Sequence, residues 1–409
     1  MASMQDVFVQ HFESYRRTRR LHSRETRAAQ CILQCYTPEA GSHVHWCPQG
    51  HFTAQTCHAC RHRSCPRCAD RPRQLWVQGE LQRLLPCAHF HTVFTLPHEL
   101  LALWEFNREA MIALLMDSVR SSLLAMLGDP RHLGATPGLL LSLHTWGRNL
   151  SHHPHVHALV SAGGVRADGT WLATREGFLL PLAPLRKLFS AKLLAALKHL
   201  LLDGALRLPP HLPAPHWHGL ISQLYRKHWN LQINPPYANG RSVTLYLARY
   251  AKGGPLPKER ALQLHAGTVS FDYTDHRDSR RKRLQLSAHE FIARILWHAP
   301  PKGVHMIRHA GLYATAARAQ HRQALIALSL PHEPHPTLPS PPPNISKPLS
   351  CPTCGEPLQR RFFPPRHPAD QISYQSPALP GPSLTQRPAH LGPTLRLTGH
   401  ARAPPSHAG

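Results

Sequence analysis

The stretch His153-Pro154-His155-Val156-His157-Ala158-Leu159-Val160-Ser161-Ala162 decides how this chain reads. Side chains alternate across a strand, so His155 and His157 share one face and Val156, Ala158 and Val160 form an apolar opposite face. Gly163-Gly164 then ends the strand. With 34 histidines in 409 residues, chance alone gives about three His-x-His pairs, and five occur, so spacing by itself carries little. Context carries more. Leu139–Trp146 also reads as a strand and holds His144. If the two strands pair, three imidazoles can gather round one divalent ion and leave positions open for a substrate phosphate. Solvated or core-packed histidines are the plainer alternative.

Further along lies Tyr246-Leu247-Ala248-Arg249-Tyr250, with its tyrosines at i and i+4 on one helix face. A phenol with an ordinary pKa of about 10 is a poor nucleophile. It needs a nearby cation to stabilise the phenolate or the transition-state oxygens. Paired tyrosines more often pack at the edge of a core. Histidines and tyrosines together point to DNA strand cleavage through a covalent phosphotyrosine.

Composition narrows the class. The net charge of +25 and pI of about 10.5 imply a polyanionic partner. No run of eighteen apolar residues exists and the basic residues are spread over the chain, which favours nucleic acid over a membrane surface. Asp6, Glu13, Arg16 and Arg17 interrupt any signal-peptide core, so a cytoplasmic location is expected. Seven of the ten cysteines fall between Cys31 and Cys68, a clustering that in a reducing compartment reads as metal binding. The clearest spacing is Cys60-x4-Cys65-Pro66-x-Cys68, with His43, His45, Cys47, His51 and Cys57 upstream. Such thiolates and imidazoles build tetrahedral zinc sites, here as one site or two. Arg61, Arg63, Arg67, Arg71 and Arg73 add phosphate-binding charge to the same module, and Arg277, Arg280, Arg281, Lys282 and Arg283 form a second basic run.

The expected organisation is a basic N-terminal helix over 1–30, a zinc-binding module over 31–75, a core over 85–265, a helical part over 266–330 and a Pro-rich tail over 331–409. Strands are expected at His89–Leu96 and Val269–Tyr273. Helices are expected over 98–127, 184–203, 217–229 and 311–328, from Ser242 to Gly253-Gly254, and after the Ser287-x-x-Glu290 capping box. The tail holds 20 of the 41 prolines and little apolar periodicity, so it should be mostly disordered. Within it, Cys351-Pro-Thr-Cys354 looks like half of a zinc ribbon with no second half following, and reads as unoccupied.

Several stretches in consistent order over about residues 30–320 resemble one family. They are Cys60-Arg-His-Arg-Ser-Cys65-Pro-Arg-Cys68, His91-Thr-Val-Phe-Thr-Leu-Pro97, His144-Thr-Trp-Gly147 with His153-Pro-His-Val-His157, Tyr246-Leu-Ala-Arg-Tyr250 and Ile307-Arg-His-Ala-Gly311. The chain is similar to the rolling-circle transposases of the bacterial insertion sequence ninety-one family, HUH endonucleases with an N-terminal zinc-binding domain. The resemblance implies an α+β fold with an HUH core, an antiparallel sheet carrying the histidines beside the tyrosine helix. It implies His155 and His157, with His144 as third ligand, on a catalytic Mg2+ or Mn2+, although imidazole-rich sites suit zinc-like ions better. It implies Tyr246 and Tyr250 as nucleophiles, structural Zn2+ in the Cys/His module and DNA as partner. One departure stands out. The family often opens its zinc module with Cys-x2-Cys, whereas here Gly50 follows Cys47 at that spacing, so His51 or His43 must substitute. A plasmid replication initiator or relaxase, and a non-catalytic zinc-dependent DNA-binding protein, are the rival readings.

Overall fold

The computed structural model describes residues 2–238, 244–245, 247–248, 253–257, 260–275, 278–328 and 349–365. The chain opens with α1 (Met4–Thr18), started by a reciprocal capping box in which Ser3 and Asp6 satisfy each other's backbone N–H. The expected single helix over 1–30 is in fact two. Arg19 leaves α1 in extended conformation, and α2 (Ser23–Gln34) restarts where the His22 N–H donates to the Glu25 carboxylate. A short hairpin follows, β1 (Ser42–Trp46) and β2 (Thr53–Cys57), then α3 (Asp70–Arg83).

The main sheet comprises β3 (His89–Thr95), β4 (Thr136–Trp146), β5 (His152–Val165), β6 (Trp171–Ala173), β7 (Leu231–Ile233) and β11 (Ile307–Gly311). Its order is β11-β4-β5-β3-β7, with β6 on β5, and every pairing is antiparallel. Between these strands run α4 (Leu101–Phe106), α5 (Arg108–Gly128), α6 (Leu182–Leu202) and α7 (Ala214–Arg226). One sheet face is apolar. Phe90, Phe94, Leu139, Leu141, Leu143, Val156, Ala158 and Val160 share a core with residues of α5, α6 and α7. α5 is long and apolar enough to cross a membrane by length and composition alone. Its Met111, Leu115, Val119 and Leu123 are wholly buried in this core, as expected of a central core helix.

The opposite sheet face carries the histidines and a smaller cluster of Leu140, Leu159, Val165, Leu247 and Tyr313. Over 266–330, read as helical, the chain contains more strand than expected. β8 (Gln263–His265), β9 (Thr268–Thr274) and β10 (Arg281–Ser287) form their own antiparallel sheet, followed by α8 (Ala288–Trp297), β11 and α9 (Arg318–Leu328). Ser287 does cap α8, its hydroxyl accepting from the Glu290 N–H. This sheet and α8 touch the histidine sheet at its β4–β5 end, where Trp297 of α8 stacks on His152 of β5 and Arg294 donates to the Asn149 carbonyl. They share a second core with Phe8 and Phe12 of α1, Ile32 of α2, and Cys35, Cys65 and Cys68. Within the tail expected to be mostly disordered, β12 (Gln359–Phe363) pairs antiparallel with β1, from Ser42↔Phe363 to Trp46↔Gln359.

Candidate active site and metal centres

Strand register builds the histidine site. His144 of β4 stands directly opposite His155 of β5, and Ser142 opposite His157. Ligand atoms of His144, His155 and His157 all lie within 4.8 Å of one another. The rings of His144 and His157 are 4.0 Å apart between centroids, and those of His155 and His157 are 4.8 Å apart. Burial pushes His144 and His157 well below the ordinary imidazole range, with neighbouring histidines adding to the shift. Both are neutral at pH 7 and keep a lone pair for a metal. His155 Nδ1 sits 2.6 Å from the His153 carbonyl oxygen, to which only an N–H can donate. That fixes the tautomer with the proton on Nδ1, so Nε2 is the atom that could ligate a metal, and such an outer contact is typical of metal-binding histidines.

His91 of β3 completes the arrangement. Its Nε2 lies 2.7 Å from His157 Nδ1, and its Nδ1 lies 3.0 Å from the Asn234 amide. The Asn234 N–H also donates to the His91 carbonyl, anchoring the loop after β7 to β3. Burial lowers His91 to about 4, so this imidazole too is neutral. The donor set fits a divalent cation: three imidazoles on one rigid sheet face, two of them with Nδ1 engaged elsewhere.

The cysteines form two clusters, which divide the five expected ligands: Cys60, Cys65 and Cys68 fall in one, Cys47 and His51 in the other. Cys35 joins Cys60, Cys65 and Cys68, with all four sulfurs within 4.8 Å. Cys60 and Cys68 Sγ are 3.6 Å apart, close to the edge of about 3.8 Å that a tetrahedron with 2.3 Å Zn–S bonds requires. The His62 N–H turns back to Cys60 Sγ at 3.4 Å. Cys31, one turn before Cys35 on α2, is pulled down to about 7, chiefly by a hydrogen bond with Cys60. The second cluster is Cys47 and His51 with Cys351 and Cys354.

Comparison with known proteins bears on this geometry. A family model described as "Transposase zinc-binding domain" matches residues 7–96, and one described as "Putative transposase" matches residues 138–321. "Putative transposase y4qJ" of Sinorhizobium fredii (strain NBRC 101917 / NGR234) is 34% identical over 322 residues, covering 77% of this chain and 81% of that protein. "Transposase for insertion sequence element IS801" of Pseudomonas savastanoi pv. phaseolicola is 31% identical over 287 residues, covering 68% of this chain and 66% of that one. The chain belongs to the transposases of the insertion sequence ninety-one family. No solved structure matches it.

The other expected site residues of the transposase are placed unevenly. Tyr246, Tyr250 and Arg277 lie outside the described residues. Leu247 and Ala248, between the two tyrosines, are buried, and Leu247 packs in the cluster on the histidine face of the sheet. Arg63 donates through Nε to the Gly253 carbonyl at 3.3 Å, and its charge is among those lowering His144. The zinc module thus reaches the edge of the histidine site. Arg67 is tied up structurally, donating to the Cys35 carbonyl at 2.9 Å and lying over the Tyr36 ring. Arg73 pairs with Asp70.

The second basic run is largely neutralised by carboxylates. Arg281 and Arg283 pair with Asp272, and Lys282 pairs with Asp275 and Asp278. Arg61, Arg71 and Arg280 are exposed. His43 is not in either cysteine cluster. It hydrogen-bonds His58 at 2.7 Å and Arg360. Cys57 is also outside both. Sequence reasoning missed Cys35 as a cluster member and His91 as a partner of His157. The available signals were the Cys31-x3-Cys35 pair at the head of the Cys-dense stretch and the His89-x-His91 pair on a strand already recognised.

Proposed function

We propose that this transposase nicks single-stranded DNA at its element's ends and joins strands through a 5′-phosphotyrosine intermediate, the chemistry of rolling-circle transposition. One observation carries the reading. His144, His155 and His157 meet on adjoining strands, and Leu247, flanked by Tyr246 and Tyr250 in sequence, packs on the same sheet face. His144, His155 and His157 would hold Mg2+, Mn2+ or a more imidazole-loving divalent ion. When bound, that ion supplies Lewis-acid polarisation of the scissile phosphate.

The chain's own groups do the rest. A phenolate oxygen of Tyr246 or Tyr250 attacks phosphorus, the bond to the 3′ oxygen breaks, and that oxygen leaves as a 3′-OH after taking up a proton. The second tyrosine takes the next strand, so a covalent link is held throughout. The sheet fixes the three imidazoles, and Arg63 at the site's edge offers charge to the phosphate backbone. Cys35, Cys60, Cys65 and Cys68 hold structural zinc under α1 and α2. The activity is placed in the cytoplasm, where DNA is the available polyanion and thiols stay reduced.

The test is a trapping experiment with 5′-labelled and 3′-labelled oligonucleotides and added Mn2+. Wild-type protein should give a denaturant-resistant adduct, mapped by mass spectrometry to Tyr246 or Tyr250. The double Tyr→Phe variant should give none while binding the same DNA. His155→Ala with His157→Ala should lose cleavage and keep most binding, because affinity rests on cation–phosphate contacts. An adduct on any other residue, or none with several metals, would defeat the proposal.

A further inference from the structure

Cys351-Pro-Thr-Cys354 lies outside both segments that match family models, and its sequence surroundings offer no second pair of ligands. The structure supplies that pair from the other end of the chain. Cys47 Sγ is 3.5 Å from Cys354 Sγ and 3.9 Å from His51 Nδ1, and ligand atoms of Cys47, His51, Cys351 and Cys354 all lie within 4.8 Å of one another. A tetrahedral zinc ion with three sulfurs and one imidazole nitrogen requires this spacing. A disulfide does not explain it, since bonded sulfurs stand about 2.05 Å apart.

The backbone on both sides is shaped as a pair of knuckles. The Gly50 N–H returns to the Cys47 carbonyl at 3.0 Å, and Gly50 has φ of 76°. The Gly355 N–H returns to the Cys351 carbonyl at 2.9 Å, and Gly355 also has φ of 76°, a conformation in which glycine meets no Cβ penalty. The Thr353 N–H points at Cys351 Sγ at 3.4 Å. The same contact, an N–H two residues on turned toward sulfur, recurs at Cys60 in the first cluster. Such N–H groups stabilise a thiolate and are idle next to a packed thiol.

A second observation is independent of the ligands. β12 pairs with β1 along its whole length, yet all five of its residues are exposed. Apolar burial does not hold this strand, and a three-stranded sheet of five-residue strands without an apolar face is marginal. Something other than a core must fasten 349–363 to the N-terminal hairpin.

We propose that Cys47, His51, Cys351 and Cys354 form a second structural zinc site that clasps the C-terminal segment onto the β1–β2 hairpin. The first cluster, Cys35 with Cys60, Cys65 and Cys68, closes ligands from neighbouring sequence. The second closes ligands some three hundred residues apart. It is independent of the nicking chemistry and stands or falls without it.

The test uses the full-length chain, purified with zinc under reducing conditions. Metal analysis should give one zinc ion fewer per chain for the Cys351→Ser/Cys354→Ser variant than for wild type, whatever the histidine site holds, and at least two for wild type. Trypsin should cut that variant at Arg360 or Arg361 far faster than wild type and leave the histidine sheet protected. Should the variant fail to fold, cobalt substitution of wild type decides. Two sites of different ligand set, one all-thiolate and one three-thiolate with imidazole, should appear as two distinct visible absorption envelopes. One metal ion per chain in wild type, an unchanged zinc content in the double variant, a single all-thiolate cobalt spectrum, or a Cys47–Cys354 disulfide in the reduced protein each overturns the clasp.

Discussion

His91→Ala should weaken metal binding at the histidine site without removing a ligand. His157 can bind a metal through Nε2 only if its proton sits on Nδ1, and the group facing Nδ1 at 2.7 Å is His91 Nε2. His91 must therefore accept there and carry its own proton on Nδ1, which requires the Asn234 amide, whose Nδ2 lies 3.0 Å from that nitrogen, to turn its oxygen there instead. Asparagine oxygen and nitrogen are interchangeable by a flip of the amide, so metal loading selects this orientation. Both imidazoles are almost fully buried, at 6% and 5% exposure, so water cannot replace the lost partner. Removing one partner of a buried hydrogen bond costs about 1–3 kcal/mol. That corresponds to about 5- to 150-fold in affinity, which brackets the roughly 10- to 100-fold seen when outer contacts of metal-binding histidines are lost. Mn2+ titration of single-strand cleavage, and of bound Mn2+ by electron paramagnetic resonance, should both shift their midpoints upward by that factor. Cleavage at saturating Mn2+ should recover to within a few fold. Asn234→Asp, which offers only acceptors, should bind metal at least as well as wild type. An unchanged midpoint in His91→Ala would show that the histidine pair does not set the tautomer. A loss that saturating metal does not rescue would make His91 itself a ligand.

Other expectations follow from buried polar groups and the first cysteine cluster. Tyr313→Phe removes a hydroxyl that accepts from the Leu85 N–H at 3.2 Å and bonds His89 Nε2 at 2.6 Å. Two stranded buried groups should cost about 2–4 kcal/mol in urea denaturation; a change below about 0.5 kcal/mol would refute that account. Stability should fall as pH drops below about 6.5, because burial holds His89 at about 4 and His298 at about 3 in the folded chain. Between those values and the ordinary imidazole range the unfolded state binds more protons, which by linkage favours unfolding as pH falls. His89 alone contributes about 3 kcal/mol across that window, so His89→Gln should flatten the pH dependence of the urea midpoint, and parallel curves for both proteins would exclude it. Cys65→Ser should lower bound zinc and expose α1 and α2 to protease, since Cys65 shares their core; full protection in a zinc-depleted variant would count against a structural ion there.

The sequence was most informative where local pattern and long-range packing agree. Alternation along His89–Leu96, Leu139–Trp146 and His155–Ala162 placed three central strands within a few residues, because one face of each must meet the same core. The Ser287 cap was legible because capping is a local hydrogen bond. What escaped notice depended on distant partners. Cys35 ends an amphipathic helix and looks like one of its buried residues until Cys60, Cys65 and Cys68 are brought beside it. Cys351 and Cys354 looked orphaned because their partners stand at the opposite end of the chain. The paired carboxylates on β9 and the turn after it were likewise invisible, so the basic run on β10 read as open to phosphate when Asp272, Asp275 and Asp278 already occupy most of it.

The direct pairing of His144 with His155 has a bearing on how copies of such a gene decay. The register is flanked by irregularities at Pro137/Leu139 and His144/Trp146, and the five-residue turn from Gly147 to Ser151 lies between the strands. A codon lost in that turn can be absorbed by the loop. A codon lost between His152 and His157 cannot, because a slip of one residue sends side chains to the other side of the sheet. The imidazoles would then point into the leucine-rich layer and the valines would take their place. Single-codon deletion of Val156, which carries no ligand, should therefore silence the gene where a conservative missense change such as Val156→Ile is mild, and silent copies in genomes should be enriched for lesions there rather than in the neighbouring turn.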